Sequence, residues 1–131
     1  MIYFNVRALI IRKTTRGEEI LVQRRVRLDE KRTPIELPGG RVEKYELLIE
    51  GLKREIKEET GLELDSIIDP INRIETKSAE GFIVECMKPY AVYQTIEGPV
   101  NSLGVYFKCT ASGELLEEGD FTDNIRWVTL E

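Results

Sequence analysis

The stretch at residues 40–62 reads GRVEKYELLIEGLKREIKEETGL, and its arrangement decides how the rest of the 131-residue chain is understood. Apolar residues recur at helical spacing from Leu48 through Leu52 to Ile56, with Leu47 and Ile49 at the edges of the arc. Gly61 follows as a residue suited to a left-handed stop. The pattern predicts a helix from about Tyr45 to Thr60. With successive residues about 100° apart, Glu46, Glu50, Lys53 and Lys57 fall on the opposite side and face water. Three residues break this amphipathic order. Glu59 projects between Leu48 and Leu52, Glu55 lies beside Leu48, and Glu58 is at the rim. They also stand at the end of the helix whose dipole disfavours negative charge. A hard divalent cation resolves the conflict, because carboxylate oxygens are its preferred ligands and i, i+3 and i+4 spacings bring them together. The competing reading of the same geometry is a solvated Glu/Lys helix.

Working outward, Pro38-Gly39-Gly40 allows close backbone approach and leaves peptide groups free near the helix start. Such a turn can lend a carbonyl to a metal or amides to a phosphate. Upstream, residues 6–13 and 19–25 read as strands joined by the turn Thr14-Thr15-Arg16-Gly17, a hairpin. Residues 25–33 read as a charged loop, residues 35–37 as a short strand and 41–43 as extended. Downstream, strand candidates lie within 64–74 and 81–96, the latter interrupted near Pro89, then at 104–110 and 125–129, with an acidic loop at 114–124. Several strands around one long helix imply a single α/β domain with layered packing.

Composition narrows the chemistry. The chain has no histidine, so Ser-His-Asp and Cys-His arrangements are excluded, and a general base must be Asp, Glu, Lys, Tyr or Cys. Cys86 and Cys109 sit in apolar, strand-like runs and read as buried thiols rather than as a disulfide framework or zinc site. A net charge of −5 argues against nucleic-acid binding. No apolar run approaches the ~20 residues of a membrane span, and the N-terminus lacks the features of a secretion signal, so the expected location is the cytoplasm.

Residues 40–62 resemble the signature of the Nudix family: Gly40, Glu46, Arg54-Glu55-Ile56, Glu58-Glu59 and Gly61-Leu62 match every specified position. Seven fixed Gly, Glu and Arg positions at ~7% usage each arise by chance on the order of 10⁻⁸ per start site. The resemblance implies a Nudix-type α/β/α sandwich with a mixed sheet over residues 1–131, and a Mg²⁺-dependent pyrophosphohydrolase, with Mn²⁺ as the alternative ion. It implies Glu55, Glu58 and Glu59 as metal-binding and catalytic carboxylates, the Gly40 carbonyl as a further ligand, Arg54 as the residue that orients the glutamates, and Glu46 as structural support. One of these glutamates, or one outside the motif, deprotonates the attacking water.

Outside the motif, Gly39 and Arg41 are candidate substrate contacts, as are Arg24, Arg25 and Arg27. Glu97, Glu117, Glu118 and Asp123 are candidate additional carboxylates, Glu97 favoured for its place before Gly98-Pro99. Tyr90, Tyr93, Tyr106, Phe107 and Trp127 are aromatic candidates for base stacking, each also readable as core. The expected partner is a small nucleotide, with no nucleic acid or membrane and with a homodimer compatible. Marks of particular substrate classes are not evident; Lys77 stands about where an ADP-ribose enzyme of the family would carry Pro. The chain stops after a strand where family members continue into a helix, so a C-terminal helix is expected to be lacking. The alternative function is a non-catalytic nucleotide-sugar sensor, against which stands the retention of every motif glutamate.

Overall fold

The computed structural model describes residues 1–26 and 35–129. The charged loop expected at residues 25–33 falls outside these limits from residue 27 onward, Arg27 included, as does Leu130-Glu131.

Strands β1 (Tyr3–Thr14) and β2 (Gly17–Arg25) form the expected hairpin, with Ile11 opposite Ile20 and Thr14 opposite Gly17. Alternation along β1 buries Val6, Ala8 and Ile10 completely while the residues between them stay partly accessible, as a strand with one covered face requires. Two short strands follow. β3 (Ile35–Glu36) pairs with β2, and β4 (Gly39–Arg41) pairs with β1, placing Gly40 opposite Val6 and Gly39 opposite Arg7. The helix α1 (Leu48–Thr60) comes next, then β5 (Glu63–Ile67), β6 (Ile74–Lys77), β7 (Ile83–Cys86), β8 (Ala91–Gln94), β9 (Ser102–Ser112), β10 (Glu118–Gly119) and β11 (Thr122–Thr129).

The main sheet runs β10-β11-β2-β1-β9-β5, with β3, β4 and β8 attached to β2, β1 and β9. β1 and β9 are parallel and the other pairings antiparallel, so the sheet is mixed. β6 and β7 make a separate two-stranded sheet. Leu52 and Ile56 of α1 bury against Val6, Ala8, Ile10, Leu21, Phe107 and Cys109. Full burial of such side chains contributes about 1.5–3 kcal/mol each for the larger ones, and this seam fixes the helix on the sheet. The α/β fold with a mixed sheet is the one expected. Among the described residues its helical part is α1 alone, and no helix among them is long and apolar enough to cross a membrane.

Three local expectations are corrected. The helix starts at Leu48 rather than Tyr45, because Tyr45 has φ +60° and Leu47 is extended. Glu46 therefore precedes the helix, and its side chain turns inward to Arg54 instead of facing water. Leu47 offers no side-chain cap; the first helical N–H, of Leu48, donates to Glu85 of β7 at 3.1 Å instead. Cys86 is exposed, since β7 lies in the separate two-stranded sheet away from the core. Cys109 is buried as expected, and burial pushes its thiol up to about 12. Gly61 closes the helix at φ +85° with its N–H on the Lys57 carbonyl.

Candidate active site

The last turn of α1 faces β2 and β4, and this brings Glu59 onto the sheet. Its residue is 3% exposed. Oε1 accepts from the Gly39 N–H at 3.0 Å and from Gln23 Nε2 at 2.8 Å, and Oε2 accepts from Arg25 Nη2 at 3.1 Å. Burial raises the Glu59 pKa, and these donors, with the Arg25 charge, oppose that rise. One turn earlier Glu55 lies against Gly40. A Cβ on residue 40 would sit 2.6 Å from Glu55 Oε2, so only glycine lets the carboxylate come this close. Burial also raises the Glu55 pKa, against the pull of Arg54.

Arg54 ties the two ends of the motif together. Its Nε and Nη2 hold Glu46 at 2.8 and 2.9 Å, its Nη1 donates to Glu55 at 2.8 Å and to Glu58 at 3.3 Å, and Nη2 also donates to the Arg41 carbonyl at 3.1 Å. These bonds hold the Glu46 carboxyl below its ordinary range and stabilise the guanidinium. Glu46 crosses α1 at Gly51, where a Cβ would lie 2.8 Å from its Oε1. That contact accounts for a glycine inside the helix, where it otherwise costs about 1 kcal/mol.

Gly40, Arg41, Glu55 and Glu59 line one cleft of about 800 Å³, whose other walls include Arg7, Arg25, Tyr3, Asn5 and Phe121. Arg41 stacks on Tyr3, with its guanidinium carbon 3.5 Å from the ring centroid. The remaining expected residues do not line this cleft. Gly39 is tied to it only indirectly, its N–H donating to Glu59. Glu58 has a side chain 43% exposed and paired with Arg54, and Arg54 itself stands behind Glu55. Glu97 is exposed in the turn between β8 and β9. Among the described residues, no three or more Cys, Asp or Glu are already gathered as a metal cluster. Arg54 pairs with both Glu55 and Glu58, while Glu55 and Glu59 line the cleft.

The aromatic candidates are used elsewhere. Phe107 is core, Tyr93 packs on Tyr106 with centroids 5.2 Å apart, Arg12 covers Trp127, and Tyr90 borders a different pocket. Arg24 is engaged with Asp123, its Nε 2.6 Å from Oδ1, which holds that carboxyl low. Glu117 and Glu118 are exposed.

Sequence reasoning missed Gln23, Glu36, Asn5, Arg7, Tyr3 and Phe121. Gln23 is fully buried, and its Nε2 also donates to Glu36 at 3.2 Å. Glu36 in turn accepts from Arg25 Nε at 2.9 Å. Among the described residues the Oε1 of Gln23 has no partner. A polar residue closing the apolar run Ile20-Leu21-Val22 was the available signal, since buried polar groups are held by hydrogen bonds. Tyr3, Asn5 and Arg7 share one face of β1 by period two. Asn5 and Arg7 donate to the Tyr93 hydroxyl at 2.9 and 3.4 Å. No local signal says that this face borders the carboxylates.

Comparison with known proteins agrees with this geometry. The sequence matches the family profile described as NUDIX domain over residues 3–131. The chain belongs to the Nudix family. Members of that family generally hydrolyse pyrophosphate bonds and use a divalent metal, and this Nudix chain is a pyrophosphohydrolase by class. No curated protein matches it. Solved structures share its fold. A MutT Nudix hydrolase from Burkholderia pseudomallei is 22% identical with a TM-score of 0.62, covering 97% of this chain and 82% of that one. MutT from Aliivibrio salmonicida and Vibrio cholerae, described together, gives 18% identity, a TM-score of 0.62 and coverage of 98% and 80%. The Nudix domain of NrtR from Shewanella oneidensis, complexed with ADP ribose, gives 14%, 0.62, 97% and 72%. At these identities the likeness speaks to the fold.

Proposed function

We propose that this chain catalyses the Mg²⁺-dependent hydrolysis of a pyrophosphate bond in a nucleoside diphosphate joined to another group, as in a nucleoside triphosphate, a nucleotide sugar or an ADP-ribose-like compound. The observation that carries this reading is the meeting of two largely buried carboxylates with the glycine pair, Glu55 against Gly40 and Glu59 on the Gly39 N–H, at a cleft that also holds Arg7, Arg25 and Arg41. Mg²⁺ is typically held by one or two carboxylates together with waters and phosphate oxygens. Two carboxylates and the Gly40 carbonyl fit that demand, and Mn²⁺ suits the same oxygen donors. Glu58 is the third proposed carboxylate ligand, at the outer edge of the same helical turn.

When bound, the ion supplies charge neutralisation at phosphate oxygens and acidifies water. The chain's own residues do the rest. Gln23, Arg25 and the Gly39 N–H fix the orientation of Glu59, and Arg54 fixes Glu55. Arg41, with Arg25, presents guanidinium groups suited to phosphate oxygens. A water oxygen bonds to one phosphorus, the bridging P–O bond breaks, and the water proton passes to a carboxylate of the motif or one outside it. The products are a nucleoside monophosphate and a phosphorylated remainder, or pyrophosphate when a triphosphate is cleaved. The partner is thus a small nucleotide; the ADP ribose held by the Shewanella domain supports that class.

A panel of nucleoside triphosphates, ADP-ribose, sugar nucleotides and dinucleoside polyphosphates with Mg²⁺ tests the reading. Cleavage of at least one is expected, and Glu59→Gln should lower kcat at least ~10²-fold without unfolding the protein. No cleavage of any compound points to the sensor, and unchanged turnover in Glu59→Gln removes the metal assignment.

A further inference from the structure

Among the described residues five non-glycine residues have positive φ: Tyr45, Asp69, Asn72, Phe121 and Asn124. Asp and Asn tolerate that conformation, whereas a bulky aromatic in it is a genuine outlier. Only one of the two aromatics, Phe121, lines the cleft that contains Glu55 and Glu59. It lies at φ +57° and leaves its side chain in water, the residue being 66% exposed. Burial therefore gives no reason for phenylalanine here, and the backbone gives a reason against it.

The turn that carries Phe121 is pinned on three sides. The Asp120 N–H donates to the Glu58 carbonyl at 3.0 Å, the Val26 N–H donates to the Phe121 carbonyl at 2.8 Å, and Thr122 Oγ1 donates to the Glu59 carbonyl at 2.8 Å. The ring is thus mounted on the same helix end that supplies Glu59. Tyr3, which also lines the cleft, carries the Arg41 guanidinium on one ring face. Among the described residues lining the cleft, Phe121 is an exposed aromatic with no cation stacked on it.

We infer that Phe121 is a specificity-determining platform on which a planar aromatic group of the substrate, of the nucleobase class, stacks while its diphosphate lies toward Glu55 and Glu59. A stack of this kind is tolerant of base identity, because every base has a π-face. The enzyme should therefore prefer nucleoside diphosphate compounds over phosphoanhydrides without an aromatic ring, and discriminate weakly among bases by this contact. This inference rests on the cleft being the diphosphate site, and binding without turnover separates the two claims.

The test uses non-hydrolysable probes in the presence of Mg²⁺: the α,β-methylene analogues of ADP and GDP, and methylenediphosphonate as the ringless control. The parent should bind both nucleotide analogues more tightly than the control. Phe121→Ala should weaken nucleotide binding by about 5-fold or more, the lower bound for a base–aromatic stack, and leave the control unchanged. Phe121→Trp should retain nucleotide binding. Phe121→Gly, which accepts the positive φ, should keep or raise Tm while losing nucleotide affinity like the alanine variant. The inference is overturned if the parent does not favour the nucleotide analogues, if Phe121→Ala leaves their affinity unchanged, or if it weakens the control equally. A failure of the hydrolase reading shows differently, as absent turnover of the natural anhydrides with the binding contrast intact.

Discussion

Replacing Gln23 with Met separates what the buried amide does for the fold from what it does for Glu59. Gln23 has no exposed surface, and its Nε2 lies between two carboxylates, 2.8 Å from Glu59 and 3.2 Å from Glu36. Those neighbours fix which way the amide points, since the flipped form would aim oxygen at both anions. The consequence is an Oε1 with no donor among the described residues. An unsatisfied buried acceptor costs about 1–3 kcal/mol, and a hydrogen bond to a charged group contributes about 1.5–3 kcal/mol. Met has nearly the same shape and removes both effects, so they offset and Tm should move by less than about 6 °C. The site responds differently. Glu59 keeps the Gly39 N–H and Arg25 but loses the donor that sets its tilt. Loss of a group that orients a metal ligand lowers affinity or activity about 10–100-fold. The assay is a Mg²⁺ titration of kcat beside a thermal melt of the metal-free protein. A variant with parental kcat and parental metal dependence would refute the assignment of Gln23 to Glu59. A collapse of Tm would refute the cancellation.

Arg54→Lys should lower kcat at least ~10-fold with the fold intact, because an ammonium cannot reach Glu46, Glu55 and Glu58 together as the guanidinium fork does; parental activity would remove Arg54 from its orienting place. Glu46→Gln should reduce kcat less than Glu55→Gln, since Glu46 touches Arg54 and the loop backbone while Glu55 faces the cleft; the reverse order contradicts that division. The Glu59 pKa is raised in the folded state, so its protonated form favours folding, and that stability is full below the unfolded value of about 4.5 and lost as pH rises through the folded value. Metal-free Glu59→Gln should accordingly have a higher Tm than the parent at pH 7–8 and lose the advantage toward pH 4.5, as differential scanning calorimetry would read. Mg²⁺ should raise the parent's Tm at pH 7–8 and the variant's less; equal shifts would count against Glu59 as a ligand.

The helix was legible because its signal is local. Leu52 and Ile56 at four-residue spacing predict a buried stripe, and Glu59 among them is a contradiction any helical wheel exposes. The hairpin of β1 and β2 was legible from its turn residues. Less legible was whatever depends on which strand lies beside which. The parallel pairing of β1 with β9 sets Tyr3 opposite Ser102, and the pairing of β1 with β4 sets Arg7 opposite Gly39. These long-range registers build the cleft wall, and nothing in residues 3–7 announces them. Helix start and Glu46 were misread for one reason. A wheel extends regular geometry past Tyr45, whose positive φ ends it. The aromatic residues carried two readings, base stacking or packing, because the sequence shows β propensity and not sidedness. Phe107 and Trp127 sit in long strands and pack there, whereas Phe121, in a short acidic turn, drew no attention.

Three local costs fall around one cleft. Glu55 and Glu59 are buried where burial disfavours their charge, Gln23 leaves an acceptor without a partner among the described residues while its amide nitrogen holds Glu59, and Phe121 holds an aromatic in a conformation suited to glycine. Away from the cleft the core follows ordinary rules, with Val6, Ala8, Ile10, Leu52 and Ile56 apolar and covered. A comparable conflict, the exposed Tyr45 at φ +60°, lies outside the cleft. These three instead share Glu59: Gln23 donates to its carboxylate, Glu55 precedes it by one turn, and Thr122, next to Phe121, donates to its carbonyl. Local conflicts that persist together in an otherwise consistent structure mark a site shaped for function. A cation held as proposed by Glu55 and Glu59 would offset the cost of their burial, and an aromatic ligand on Phe121 the cost of its exposed ring. Stabilisation by both together should therefore exceed what either gives alone, because each acts through the same helix end.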